Sequence, residues 1–498
     1  MHTNHRFVCI SCHRELLRMI GDLREGNESM YPIIRLERIE LKNFKNVKQG
    51  MIENTEYRNK LFYTRKANVM GIYGQNGSGK TAVVEAMNVL KLLMSGESLP
   101  QEAKYLIHKD TSEAILKFIF YIEDRNEKED RVNRYVIYYD VTLALEAYGE
   151  SSEQKLLHVS KEALSYSNIG VKAKADIIRY EYDNEETIFL PKVRVQEVTK
   201  QNADALIQLE VAKRMSLKES CSFLFHQDVL SVFQQEFVNP EYGRILSLLR
   251  YYAKMNLFVI ANRNIAESGI SYMPISFRIT LEDMVSSGVA PISLTGPSVI
   301  KTSTYELVRL VMNQLNLVVG SILPGMYLEV KDLGKELAED GSELKRVELV
   351  SVKDGLAVPL KYESEGIKKI LSILSTLISV YNNPSICLVV DELDAGIFEY
   401  LLGELLAIIE KHGQGQLIFT SHNLRALEKL HKDAIVVSTS NPHNRFVRIP
   451  HEKGDKNYRN TYLRSIDLGG VDEEIYQTTN SYEISYAFKK AGDLFETE

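Results

Sequence analysis

The sequence predicts an α/β fold: a mixed sheet with flanking helices, an antiparallel β meander and an inserted helical subdomain. Three observations predict it. First, the apolar run NVMGIYG leads through a glycine-rich turn at 74–79 into a helix, Lys80 to Met94, which is a strand–loop–helix unit. Second, between Ala114 and Leu190 alternating runs such as AILKFIFYI and RYVIYYDVTLALE are broken by polar separators, including EDRNEKED and DNEE, as in a meander. Third, the last third alternates helix and strand through GIKKILSILSTLISVY, SICLVVDE, YLLGELLAIIEKHG, QLIFTSH and AIVVSTS. That order predicts a parallel sheet covered by helices.

The remaining elements follow in chain order. Residues 1–29 carry several Arg and His, a Cys9-Ile10-Ser11-Cys12-His13 cluster and a short helix from Arg14 to Leu23. One reading starts translation at Met30 and treats 1–29 as an extension, since unanchored chain ends tend to lie outside the packed fold. IRLERIELKNF, from Ile33, alternates as an extended strand. The charged run 123–131 reads as a solvated hairpin loop. Helical spacing marks ADALIQLEVAKRM, QDVLSVFQQEF and YGRILSLLRYYAKM, whereas 263–300 is rich in Ser, Gly and Pro and reads as loop or short strands. Ser303-Thr304-Tyr305-Glu306 reads as a capping box before a helix with Leu307, Leu310, Val311, Leu315 and Val318 on one face. Strands MYLEV and RVELVSV follow, the latter turning at Asp354-Gly355 into LAVPL. The expected organisation is an extension (1–29), an N-terminal lobe (30–199), a helical insertion (200–300) and a C-terminal lobe (301–498).

Composition bounds the class without giving a function. The 498 residues fit two units at about 100–200 residues each. With 44% hydrophobic and 26% charged residues, the chain has enough apolar material for a sizeable core. No apolar run approaches about 18 residues, so no spanning helix is expected, and the first residues lack the apolar stretch of a signal peptide. Four cysteines make no disulfide framework, which points to the cytoplasm. A net charge of −7 argues against a basic coat while leaving room for a local basic groove.

The chemistry comes from short motifs. Gly74-Gln75-Asn76-Gly77-Ser78-Gly79-Lys80-Thr81 is a complete G-x-x-x-x-G-K-T. Its glycines let backbone amides wrap phosphates at a helix N-terminus, Lys80 adds a positive charge near the β- and γ-phosphates, and Thr81 offers a hydroxyl to Mg²⁺. Cys387-Leu388-Val389-Val390-Asp391-Glu392 is a buried parallel strand that brings two acids to the sheet's carboxyl edge. There Asp391 would hold Mg²⁺ and Glu392 would polarise the attacking water. His422 ends the next strand, within reach of a γ-phosphate. Ser364 and Gly366 open the preceding helix, where a serine is often a simple cap but also suits an incoming phosphate.

This order (phosphate loop, S-x-G helix, Asp-Glu strand, Ser-His) resembles the heads of ATP-binding-cassette (ABC) ATPases. The separation of 311 positions from Lys80 to Asp391 resembles that of their split-lobe soluble members. ELKNFKN, ESEGIKKIL and DELDAG look like the RecF and overcoming-lysogenization-defect (OLD) group, relatives of the chromosome-structure ATPases. HVSKEALSYS and, more weakly, RNTYLRSIDLGG match patterns of that group. The resemblance covers roughly residues 33–200 and 300–470 and is specific in the nucleotide motifs.

The resemblance implies ATP and Mg²⁺ as ligands, with Gly74 to Thr81 on the phosphates and Asp391 supporting the metal. It makes Glu392 the general base and His422 the switch residue that senses the γ-phosphate. Asn43 and Lys45 would lie near the nucleotide, and Asp394-Ala395-Gly396 would form the D-loop. Ser364 and Gly366 would press on ATP held by a second subunit, making the protein a homodimer or higher homo-oligomer of ATP-sandwich heads. Two departures stand out: Ile397-Phe398 replaces the Leu-His of many relatives, and no glutamine is assignable to the Q-loop.

Stand-alone heads of this kind suggest a subunit of a prokaryotic anti-phage defence system that holds or releases a separate effector, a nuclease or a toxin. The alternatives are a DNA-repair ATPase that binds nucleic acid, a nuclease in its own right, and a scaffold that binds ATP without appreciable turnover. Only 76 residues follow His422, short for a built-in TOPRIM nuclease module, and no heptads persist between 200 and 300 to form coiled-coil arms. Cys9, Cys12 and His13 match C-x-x-C-H, but no second Cys/His pair completes a zinc site.

Overall fold

The computed structural model describes residues 32–493, apart from 59–64, 127–130, 148–154, 170–172, 201, 262–271, 282–283, 339–340, 342, 451–457, 469–472 and 478. The Cys9–His13 cluster, the helix expected from Arg14 and the proposed start at Met30 lie outside the described residues.

Strands β1 (Ile33–Phe44) and β2 (Val47–Glu53) form a hairpin at the edge of an antiparallel sheet. The chain then enters the phosphate-loop unit, β3 (Asn68–Tyr73) and α1 (Lys80–Ser95). The meander follows as β4 (Glu113–Asn126), β5 (Arg131–Ala147), β6 (Lys155–Asn168) and β7 (Ala175–Glu181), giving the order β2-β1-β4-β5-β6-β7. Part of the charged run, 123–126, is therefore strand rather than loop.

Helices α2 (Lys192–Thr199), α3 (Ala203–Glu219), α4 (Gln227–Phe233) and α5 (Pro240–Tyr251) come next. The second half of the segment assigned to a helical insertion is built of strands, as the loop-or-short-strand reading of 263–300 allowed. It contains β8 (Leu257–Ile260), which falls just after the last helical pattern, a hairpin of β9 (Tyr272–Leu281) and β10 (Met284–Ser293), and β11 (Ser298–Lys301). Strand β8 pairs in parallel with the acidic strand. Its four residues are too few to show periodicity beside a long helical pattern.

Helix α6 (Thr302–Ile322) starts before the proposed capping box. Lys301 holds the N-cap position without a side-chain cap bond. The buried face carries Tyr305, Val308, Val311, Met312, Leu315 and Val319, while Leu310, expected inside, is 55% exposed. This face packs on β12 (Met326–Leu337) and β13 (Glu343–Lys353). The turn at Asp354-Gly355, both with positive φ, leads into β14 (Leu356–Pro359).

The rest of the chain builds the central sheet and its cover: α7 (Glu365–Asn382), β15 (Cys387–Val390), α8 (Glu399–His412), β16 (Gln416–Thr420), α9 (Arg425–Lys429), β17 (Ile435–Ser438) and β18 (Phe446–Val447). Helices α10 (Tyr458–Leu468) and α11 (Ser481–Asp493) end it. The sheet order is β18-β17-β3-β16-β15-β8, parallel except for β18.

Both faces of this sheet are buried, which explains its nearly continuous apolar strands. Met70, Ile72, Cys387, Val389, Ile418 and Val436 point into a core shared with α1, the meander and α5. Their neighbours Val69, Tyr73, Leu388, Val390, Leu417 and Phe419 point into a second core under α7 and α8. Arg35, 1% exposed, links the sheets by donating to the carbonyls of Gln414 (2.8 Å), Lys66 (3.0 Å) and Pro384 (3.3 Å). Among the described residues, no helix is long and apolar enough to cross a membrane.

Candidate nucleotide site

The carboxyl ends of β3, β15 and β16 meet at a cleft of about 590 Å³. Lys45, Asn76, Gly77, Gly79, Lys80, Thr81, Asp391, Glu392 and His422 all line it, so residues up to 377 positions apart converge on one site. Parallel strands end their chain direction together, and this edge is where open α/β sheets bind ligands.

The phosphate loop is held from below. Gly74 has φ +146°, and a Cβ there would stand 2.2 Å from Ser438 Oγ, so only glycine fits. Ser78, buried, donates from its hydroxyl to Gln75 O at 2.6 Å and contacts Ser438 Oγ. Lys80 Nζ donates to the carbonyls of Gly74 (2.8 Å) and Gln75 (3.0 Å). Burial holds its ammonium below the usual lysine range, against the pull of Asp391, Glu392 and Asp394. This arrangement keeps a cation at the loop ready to exchange carbonyl partners for phosphate oxygens.

The acids are held from the side. Asp391 N–H continues the ladder onto Ile260 O of β8 at 2.9 Å. Thr420 Oγ1 donates to Asp391 Oδ1 at 2.6 Å and accepts Glu392 N–H at 2.7 Å. Glu392 takes the left-handed conformation, φ 46°, which turns the chain sharply after the strand. Leu393 N–H donates to Thr420 O, and His422 N–H donates to Asp394 Oδ2 at 3.1 Å. Burial, followed by the charge of Lys80, lowers the His422 pKa, favouring a neutral imidazole in the cleft.

The donor set fits Mg²⁺. Thr81 Oγ1 lies 3.5 Å from Asp391 Oδ1, bringing a hydroxyl and a carboxylate oxygen together. Mg²⁺ typically takes one or two such protein oxygens and completes its shell with water and phosphate. Among the described residues, no group of three or more His, Cys, Asp or Glu side chains could hold a metal ion.

The other sequence candidates fall outside this lining. Asn43, φ 55°, accepts His108 N–H at its carbonyl (2.9 Å) and supports the cleft wall from behind. Ser364 is the N-cap of α7, accepting Ile367 N–H at 3.3 Å. Gly366 packs so closely on the Asp394–Gly396 turn that a Cβ would stand 2.0 Å from Gly396 O. Gln75 faces the C-terminal segment: Gln477 N–H donates to its Oε1 at 3.0 Å.

Several residues at the site went unread in the sequence. Thr420 stands inside the quoted LIFTSHN, but nothing marks its hydroxyl as the bracket for both acids. Tyr105, Ile107, His108 and Lys109 also line the cleft from a segment without a recognisable motif, and Asn46 joins them from the end of ELKNFKN. Lys369 on α7 is only 2% exposed. Burial lowers its pKa, while Asp391, Glu392 and Asp394 oppose the shift. Its neighbour Lys368 is buried too, and nothing in the sequence marks either lysine of the pair as inward-facing.

Residues 35–425 match the sequence model of the AAA ATPase domain family. No curated protein matches the chain in sequence. Similar solved structures include an SMC head bound to the C-terminal winged-helix domain of ScpA (16% identity, 84% of this chain and 98% of that one, TM-score 0.40). The SMC head domain from Thermotoga maritima is 14% identical over 84% of this chain and 100% of that one, with a TM-score of 0.34. ATP-bound RecF, the recombination mediator of the RecFOR pathway, is 14% identical over 78% and 94%, with a TM-score of 0.30. The family match spans the phosphate loop, the α7 N-terminus, the acidic strand and His422 in the order that the motifs set. The chain belongs to the AAA ATPase domain family.

Proposed function

We propose that the protein binds and hydrolyses ATP with Mg²⁺ and works as a dimeric, nucleotide-driven switch. The observation that carries this reading is the convergence of Lys80, Thr81, Asp391, Glu392 and His422 on one cleft. The loop amides and Lys80 would bind the phosphates, and Thr81 and Asp391 would hold the metal. Mg²⁺, when bound, neutralises charge on the phosphates. Glu392 would orient and deprotonate the attacking water, and the neutral His422 would donate to the γ-phosphate. Catalysis of this kind comes mainly from positioning and charge.

The composite dimer has its own support. Ser364 lies outside its own cleft, and the Gly366–Gly396 contact joins two segments flanked by exposed aromatic rings. Tyr362 is 72% and Phe398 68% exposed, and Phe398 stacks on Tyr400 at 5.7 Å between centroids. An exposed apolar patch beside a capped helix start suits a contact with a second head. In this reading ATP closes two heads and its hydrolysis reopens them. The resemblance to stand-alone RecF/OLD heads extends the reading to anti-phage defence, in which closure would hold or release a separate nuclease or toxin.

Mixing tests the composite site. Lys80→Ala and Ser364→Arg proteins, each inactive alone, should regain Mg²⁺-dependent phosphate release when combined, because one site per dimer is then intact. Dimers that form without restored release would remove the trans role.

A further inference from the structure

Beyond the phosphate loop and the acids, the cleft has a second wall made by Lys45, Asn46, Tyr105, Ile107, His108 and Lys109. Tyr105 stands out on it. The 3₁₀ turn Gln101–Leu106 buries Ala103 and Leu106, each 4% exposed, yet presents Tyr105 with 68% of its surface open. The turn is pinned to the end of β1: Lys45 N–H donates to Leu106 O at 2.6 Å and His108 N–H to Asn43 O at 2.9 Å. The ring therefore sits on a fixed support. Lys104 Nζ lies 5.2 Å from its centroid, leaving a cation beside an electron-rich face.

We infer that Tyr105 is the base-stacking residue of the nucleotide site. The inference rests on the nucleotide reading of the cleft and adds to it the part of the ligand that the phosphate loop does not touch. A triphosphate seated on the loop, with its terminal phosphate toward Glu392 and His422, directs its nucleoside to the opposite wall. Tyr105 carries the one phenyl ring among the described residues that line the cleft. The Asn46 amide already donates to Gly77 O, and the exposed Tyr105 ring offers a stacking face that any nucleobase can use.

The chain contains no tryptophan, so Tyr105→Trp creates a single reporter in the full-length protein. ATP should quench its emission, whereas tripolyphosphate, which lacks a base, should bind without quenching. Tyr105→Ala should weaken ATP binding by about tenfold to a hundredfold and leave tripolyphosphate binding unchanged. Tyr105→Phe should restore ATP affinity. Indole emission indifferent to saturating ATP, or unchanged ATP affinity in Tyr105→Ala, would overturn the assignment while leaving the phosphate site intact. Failure of wild-type protein to bind either ATP or tripolyphosphate would instead remove the nucleotide reading, and this assignment with it.

Discussion

Thr420 and Asp391 share a 2.6 Å hydrogen bond from the threonine hydroxyl to the carboxylate, and the same hydroxyl accepts Glu392 N–H at 2.7 Å. One side chain of β16 therefore fixes the acid proposed to support the metal and the start of the turn that presents the proposed base. Valine keeps the shape and loses both bonds. Thr420→Val should lower the rate of phosphate release by about tenfold, the effect of roughly 1.4 kcal/mol, because a buried acceptor and donor lose their partner. ATP affinity, proposed to be set at the phosphate loop and Tyr105, should change far less. Equal losses in affinity and turnover, measured by equilibrium binding and steady-state kinetics, would contradict this division.

The two small residues at the start of α7 should differ in their consequences. Ser364→Ala removes an N-cap bond and should cost about 1 kcal/mol of stability. Gly366→Ala puts a methyl group 2.0 Å from Gly396 O, a backbone atom that cannot swing aside. It should cost about 1–3 kcal/mol and separate α7 from the Asp394–Gly396 turn. Urea midpoints for the two variants would reveal the order, and a Gly366→Ala protein as stable as wild type would show that this contact yields freely.

Glu37 should make the protein less stable toward alkaline pH. Burial raises its carboxyl to about 7, with Arg35 and the Asn54 hydrogen bond opposing the shift. The folded state then holds this proton more tightly than the unfolded chain does. Its contribution is complete below about pH 4.5 and is lost as pH rises through about 7, a loss on the order of 3 kcal/mol. Glu37→Gln should therefore show a smaller fall in Tm between about pH 5 and about pH 8 than wild type. Parallel pH profiles for the two proteins would show that Glu37 ionises at its ordinary pH in the fold.

Much of this architecture was legible in the chain because its signals are local. The phosphate loop, the alternating meander and the apolar strand ending in Asp391-Glu392 each carry their pattern within about 15 residues. The misses have a common physical origin. Strand β8 is four residues long, and its place is set by pairing with β15 about 130 positions away. Leu310 followed the expected periodicity but faces outward, because α6 is gripped by β12 and β13 rather than by a symmetric core. At the site, residues tied to the loop motif were readable, whereas Thr420, Tyr105 and Lys369 gain their meaning only from what the fold places opposite them. Ser364 illustrates the limit: its cap bond is visible within one subunit, and its proposed partner belongs to another.

The central claim is an ATP-driven closure of two heads that Glu392 reverses by hydrolysis, and Glu392→Gln tests it most directly. With Mg²⁺ and ATP, the variant should elute as a dimer that retains unhydrolysed ATP, while phosphate release collapses and wild type cycles between monomer and dimer. A Glu392→Gln protein that hydrolyses ATP at the wild-type rate, or that binds ATP and stays monomeric, would contradict the account.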